Sequence, residues 1–484
     1  MKKLFERIMD PAFYTMLFGD NARILRAKKD MLESVCKLFS ERFSRSIEGK
    51  DVCLICVPNR VELLGKHTDY QGGETLLLTG PKNFFALSAP AADRTTELVN
   101  VNTEYGSTSL KLRSREPEML TEGEGSNYAY TVAKRLLNNI SDAGLSRLFP
   151  GDVKSVFYGD IPFGGGTSGS SAKLISDFFI LASVNNLLSD DEFVSLVIEN
   201  GKKAGLKMGS GGVNDFSLAL SMYLAHHENG FDFGDLKGDR GVGTFGGSED
   251  HTAIVLGERN SLLYCRYCPT EIIKKIKMPE DHLVVVGYSG KKAEKTKEAK
   301  LKYNRLSEEA AAAVKQLNKI NRTGFDLLRD FFQGQPPGEK ADLAYEQLSG
   351  AKDGLRLAQR AYQFFRETEV TEQAVSALAD RNISAFGKLI NASHYLSKKY
   401  LRNIVAEVDW LQQSANELGA LGATGFGAGF GGSCYAVIPE NQCDGFILKW
   451  KEDYFKKYPQ YRDAAGFDVY TACGGVYWER LRFK

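Results

Sequence analysis

The sequence predicts an α+β fold in two domains, and three observations carry that prediction. Short apolar runs of strand composition crowd the stretch from about residue 50 to 115 and return near Val153 and Cys434. Helical spacing of apolar residues dominates from about 296 to 420. A length of 484 residues exceeds what one simple core holds. Hydrophobic residues at 43% and charged residues at 25% are ordinary for a soluble globular chain. A formal net charge of +1 gives no reason to expect nucleic acid or a membrane surface as partner. Met1-Lys2-Lys3 is followed by no apolar core of signal-peptide length, so the expectation is a cytoplasmic protein, a monomer or small homo-oligomer.

Taken in order, residues 1–40 form a helical extension, with Leu25, Leu32, Val35, Cys36 and Phe39 near helical spacing. The apolar run Val52–Val57 reads as a buried strand that Pro58 ends by removing a ladder donor. Just beyond it stand Arg60, Lys66, His67 and Asp69, followed by Gly72-Gly73. A fixed cation, an imidazole and a carboxylate on a rigid base suit a small, hydroxyl-rich ligand, which needs donors and acceptors in fixed directions. Glu74–Leu78 and Phe84–Ser88 are further strands, Ser126 opens a helix, and Val153–Phe157 is a strand.

Gly159-Asp160-Ile161-Pro162-Phe163-Gly164-Gly165-Gly166-Thr167-Ser168-Gly169-Ser170-Ser171-Ala172 then leads from that strand into a helix. Such a loop is an anion site, because glycines let backbone N–H groups wrap a phosphate and the helix dipole adds favourable potential. The Gly-Lys-Ser/Thr ending of the P-loop NTPases is absent. A glycine-rich stretch from about 228 to 248 ends in adjacent carboxylates, Glu249 and Asp250, before Thr252–Leu256, which reads as a strand. The helical region that follows is broken at 334–338, and Cys434–Ile438 is again a strand.

Eight cysteines include two C-x-x-C pairs, Cys53/Cys56 and Cys265/Cys268. Both lie in strand-like text with no glycine to turn a knuckle, and i and i+3 of a strand point to opposite faces. They are expected to be buried, reduced thiols of an intracellular protein and not a zinc site.

The Pro58–Gly73 segment resembles the galactokinase signature P-G-R-V-N-L-I-G-E-H-T-D-Y-N-G-G of the GHMP sugar-kinase superfamily, with Asn59, Glu62 and Lys66 departing from it. The glycine loop resembles the superfamily's P-x-G-x-G-L-x-S-S-A, and Ser248-Glu249-Asp250-His251 resembles the end of C-G-x-M-D-Q. Gly427–Gly432 matches the G-A-G-F-G-G of the closing motif G-A-R-M-T-G-A-G-F-G-G-C, and Phe386–His394 resembles F-G-x-L-M-x-x-S-H. The resemblance runs from about residue 38 nearly to the end of the chain. It implies a two-domain GHMP kinase fold with mixed sheets, a domain at 41–255 that binds sugar and ATP, a second at 256–484, and an active site in the cleft between them.

It further implies ATP as co-substrate, Mg2+ as cofactor and a small sugar as acceptor, phosphorylated on its anomeric hydroxyl. Asp250 falls on the catalytic base and Arg60 on the charge-stabilising arginine. Lys66, His67, Asp69 and Tyr303 fall on sugar-binding positions. Gly164, Gly165, Gly166, Ser168, Gly169, Ser170 and Ser171 form the ATP phosphate loop, with Ser170 and Glu228 as metal ligands. Ser126 stands where galactokinases carry a tryptophan near the nucleotide base. Lys66, in place of a glutamate, points to a uronic acid such as galacturonate, or to another modified sugar such as arabinose, as an alternative to galactose. The altered Thr167-Ser168-Gly169 leaves a second class open, a sugar and ATP sensor without turnover.

Overall fold

In the computed structural model, residues 2–481 are described apart from 46, 48, 113–114, 121–124, 149–150, 244–245, 294–296 and 351–353. Three helices, α1 (Lys2–Met9), α2 (Pro11–Phe18) and α3 (Ala22–Phe43), precede the strands β1 (Val52–Leu64), β2 (Glu74–Pro90), β3 (Thr96–Asn100), β4 (Thr108–Lys111) and β5 (Glu118–Met119). Helix α4 (Ser126–Asp142), strand β6 (Val153–Gly159) and helices α5 (Gly169–Val184), α6 (Asp191–Lys203), α7 (Asp215–Asn229) and α8 (Glu249–Leu256) come next. The chain continues through β7 (Ser261–Arg266), β8 (Glu271–Lys277), β9 (His282–Tyr288), α9 (Lys297–Asn321), α10 (Pro337–Ser349), α11 (Gly354–Ala379), α12 (Ile383–Leu396) and α13 (Ala406–Glu417). It closes with β10 (Gly422–Gly425), β11 (Ser433–Pro439), α14 (Cys443–Lys457), β12 (Gly466–Tyr470) and β13 (Tyr477–Leu481).

One sheet runs β13-β1-β2-β6-β3-β4-β5, with β7 pairing β2 and β8, and it is antiparallel except where β3 lies parallel to β6. A smaller antiparallel sheet runs β10-β11-β9-β12. Sheet membership crosses the expected division at 255/256, since β7, β8 and β13 all belong to the first sheet.

Alternation along β1 decides what covers each face of that sheet. Val52, Leu54 and Cys56 pack with Phe85 and Leu87 under Leu32, Val35 and Phe39 of α3. Cys53, Ile55 and Val57 face the other way, onto Ala172, Ile175 and Phe178 of α5 and Leu136 of α4. Cys53 and Cys56 are therefore in separate apolar clusters, as strand geometry requires. Cys268 departs from expectation: β7 ends at Arg266, and the Cys268 side chain is exposed with φ at +55°. The far ends of β1 and β2, through Val61, Leu63, Leu76 and Leu78, share a core with Val284, Tyr435 and Val437 of the small sheet and Ile390 of α12. Each fully buried aliphatic side chain there contributes about 1.5–3 kcal/mol, so this common core fixes how the two sheets meet.

Two local expectations change. Pro58 does not end β1, which continues to Leu64, because a register shift between Pro58 and Arg60 removes the need for its missing donor. Thr252–Leu256 is the body of helix α8, not a strand. A short, mostly buried apolar run carries too little periodicity to separate the two, and Glu249 and Asp250 in the first turn suit a helix N-terminus.

Candidate active site

Since β1 runs on past Pro58, Arg60 and Glu62 are strand residues two apart and share one face. That face opens on a cleft of about 360 Å³. Its walls hold Arg60, Glu62, His67 and Asp69, the loop residues Gly164–Gly166 and Ser168–Ser171, and the acids Glu228, Glu249 and Asp250. Tyr128, Phe157, Ile161 and Phe163 add apolar surface to its lining.

Asp250 is held from two sides. Arg60 Nε donates to its Oδ1 at 2.6 Å, and Ser171 Oγ lies 3.3 Å from its Oδ2. Arg60 Nη1 also donates to Gly166 O at 2.8 Å, so one guanidinium ties the carboxylate to the glycine loop. Burial works against the Arg60 charge, but Asp250, Glu249 and Glu62 outweigh it and hold the group protonated above its ordinary range. Ser171 Oγ donates to Glu228 Oε2 at 2.7 Å, and His251 Nε2 lies 3.0 Å from the same oxygen. The serine that meets Glu228 is thus Ser171, and Ser170 turns to the Tyr128 hydroxyl. Helix α5 starts at Gly169 after Ser168, which sits at φ +59°, and adjacent residues of a helix point about 100° apart, so the two serines take different directions.

The loop is shaped by glycine where shape demands it. Gly164 and Gly166 have φ of +67° and +74°. The Gly427–Gly432 run lies against them: a Cβ on Gly427 would stand 2.4 Å from Gly166 O, and Ser433 Oγ donates to Gly165 O at 2.6 Å. The third glycine motif thus packs directly on the phosphate loop. Ser168 Oγ and Thr167 Oγ1 are buried without a partner, the condition of groups placed for an anion.

Around His67 and Asp69, Arg360 of α11 donates to the Tyr70 hydroxyl oxygen at 3.0 Å. His67 Nδ1 lies 3.1 Å from that hydroxyl, and its Nε2 lies 3.3 Å from Ala428 O. A carbonyl only accepts, so Nε2 carries the proton and Nδ1 accepts from Tyr70. Burial, then Arg360, lowers the imidazole to about 3, leaving it neutral. Burial, with Asp250 adding, raises Asp69 to about 6. Glu62 is raised by burial to about 7 against the pull of Arg60, and Glu249 is pushed well above the ordinary range by burial with Glu62 and Asp69 adding. This part of the cleft holds more carboxylate than cation.

Lys66 is not in the cleft wall. Its side chain is fully buried, and Nζ donates to Ser393 Oγ of α12, whose hydroxyl donates to Glu367 of α11. Glu367 also accepts from Gly65 N at 3.0 Å, so the loop is pinned from behind and the lysine points away from the ligand space. Tyr303 falls in α9, and its side chain lies outside the described residues. Glu62, Glu249 and Tyr70 also line the cleft and were not among the sequence-derived site residues. The period-2 relation of Glu62 to Arg60 was the available signal, hidden by ending the strand at Pro58.

The fold is that of the GHMP kinases. Lactococcus lactis galactokinase complexed with galactose superposes with a TM-score of 0.68 at 22% identity over 93% of this chain and all of that one. Methanococcus jannaschii mevalonate kinase superposes at 0.51 with 15% identity, covering 87% of this chain and 98% of its own. Residues 374–456 match the family described as GHMP kinases C terminal, and residues 37–87 match the galactokinase galactose-binding signature. The galactokinases of Limosilactobacillus reuteri (strain DSM 20016) and Enterococcus faecalis are each 27% identical over 437 and 425 residues, 87% of this chain and 92% and 94% of theirs. The sequence likenesses thus fall on galactokinases, while the likeness to mevalonate kinase is one of fold alone.

Proposed function

We propose that this protein is an ATP- and Mg2+-dependent sugar 1-kinase of the cytoplasm, transferring the γ-phosphoryl group to the anomeric hydroxyl of galactose or a close relative. The observation that carries the reading is Asp250, held by Arg60 and Ser171 at the point where the sugar end of the cleft meets the glycine loop. Phosphoryl transfer asks for positioning and charge neutralisation, since the transition state is loose. Asp250 Oδ2 takes the anomeric proton as the sugar oxygen bonds to the γ-phosphorus and ADP leaves. Arg60 orients Asp250 and places positive charge beside the loop that holds the transferred group. His67 and Asp69 fix sugar hydroxyls, and the α5 N-terminus with Ser168 and Gly164–Gly166 receives the phosphates.

Ser171 and Glu228, two oxygen ligands 2.7 Å apart beside the phosphate loop, fit a hard divalent cation, beside the Ser170 that the resemblance implied for that role. Bound there with ATP, Mg2+ would neutralise phosphate charge. A uronate acceptor loses its support, because Lys66 faces Ser393 and the cleft is rich in carboxylates. The intact Arg60–Asp250–Ser171 arrangement favours turnover over sensing. ADP release with galactose and ATP, in wild type and Asp250→Ala, tests the proposal. Turnover that survives the substitution overturns it, and ATP binding without ADP release on any sugar supports the sensor.

A further inference from the structure

We propose that Glu62 is the specificity-determining acceptor at the sugar end of the cleft, selecting substrates that present a hydrogen-bond donor, hydroxyl or ammonium, to its carboxylate. The inference rests on the sugar-kinase reading above. Glu62 lines the cleft, yet it is only 1% exposed, so whatever its carboxylate meets lies inside the cleft. Oε2 accepts from Gly427 N at 2.8 Å, which orients the group, and among the described residues no hydrogen bond reaches Oε1. Oε1 is not one of the fully buried atoms left without a partner, so it is open to the cleft, where a donor on a ligand can bond it.

The neighbouring groups do not compete for this role. Arg60 is engaged by Asp250 and Gly166, and Asp69 is an acceptor like Glu62. Lys66, four residues on, is turned to Ser393 and brings no donor into the cleft. Burial raises Glu62 to about 7, so above that pH its carboxylate accepts from a ligand donor and repels a substrate carboxylate.

Glu62→Gln is close to isosteric, and its amide oxygen can keep the Gly427 bond, which leaves an NH2 facing the ligand in place of an acceptor. A site built to bond a substrate donor discriminates against analogues lacking it. The experiment compares kcat/KM for galactose, 2-deoxygalactose, 6-deoxygalactose, galactosamine and galacturonate in wild type and Glu62→Gln. In wild type, at least one deoxy sugar is expected to lose about tenfold or more against galactose. In the variant that gap is expected to close to about twofold, mostly through KM for the cognate sugar, while galacturonate gains on galactose. Galactosamine against galactose separates an ammonium from a hydroxyl as the donor. Equal ratios in both proteins, or a wild-type preference for galacturonate, overturn the proposal. If wild type turns over no sugar, the kinase reading fails separately, and calorimetric binding of the same sugars still reads whether their ranking depends on Glu62. Melting curves check the fold of the variant, and Glu62→Asn replaces it if it unfolds.

Discussion

Gly247 offers the sharpest test of where the sugar sits. A Cβ there would stand 1.8 Å from Asp69 Oδ2 and 2.3 Å from its Cγ, whereas real Cβ contacts essentially never fall below 3.0 Å. In Gly247→Ala the Asp69 carboxylate must therefore retreat by about 1.2 Å, the difference between 3.0 and 1.8 Å. Asp69 is short, buried, and accepts from the backbone N–H groups of Tyr70 and Glu249, so it cannot swing aside while keeping those bonds. A displacement near 1 Å in a group that positions a reactant costs about 100-fold in rate, or about 2.7 kcal/mol of transition-state stabilisation. ADP release measured against sugar concentration should show kcat/KM for galactose lower by about 100-fold in the variant, with ATP affinity unchanged. A variant within threefold of wild type would refute the placement of Asp69 on the sugar.

The same aspartate ties function to stability. Its folded-state value is raised from 3.8 to about 6, so between those pH values the folded protein holds a proton the unfolded chain has released, and stability falls as pH rises through the window. Asp69→Asn should therefore melt higher at pH 8, by up to about 3 kcal/mol, show no gain at pH 3.5, and lose sugar turnover. Thermal melts at the two pH values decide it. Gly427→Ala places a Cβ 2.4 Å from Gly166 O at φ +75°, so it should cost about 1–3 kcal/mol of stability and weaken ATP binding, measured by chemical denaturation and nucleotide titration.

The loops were legible in the sequence because their chemistry is local. Glycines at Gly164 and Gly166, the serines beyond them and the acids at 249 and 250 announce an anion site and a base without reference to distant residues. What could not be read was direction. Lys66 looks like a ligand group until Glu367 and Ser393, some 300 residues on, pin its loop and draw Nζ the other way. Ser170 and Ser171 are equivalent in sequence, and only the helix phase set by Ser168 sends them in different directions. The α8 segment was misread because a short buried run has the same composition in a strand and in a helix.

Strand β1 carries Arg60 and Glu62, and its outer neighbour is β13, with Val52 opposite Leu481 and Cys56 opposite Tyr477. These partners lie more than four hundred residues apart, so on the ribosome β1 must wait for nearly all the rest of the chain before that side is closed. Until then an apolar strand edge stands open to pairing with other chains. A shortage of the final strand would therefore be expected to show as aggregation during synthesis, before any fault in the chemistry of the cleft could be measured.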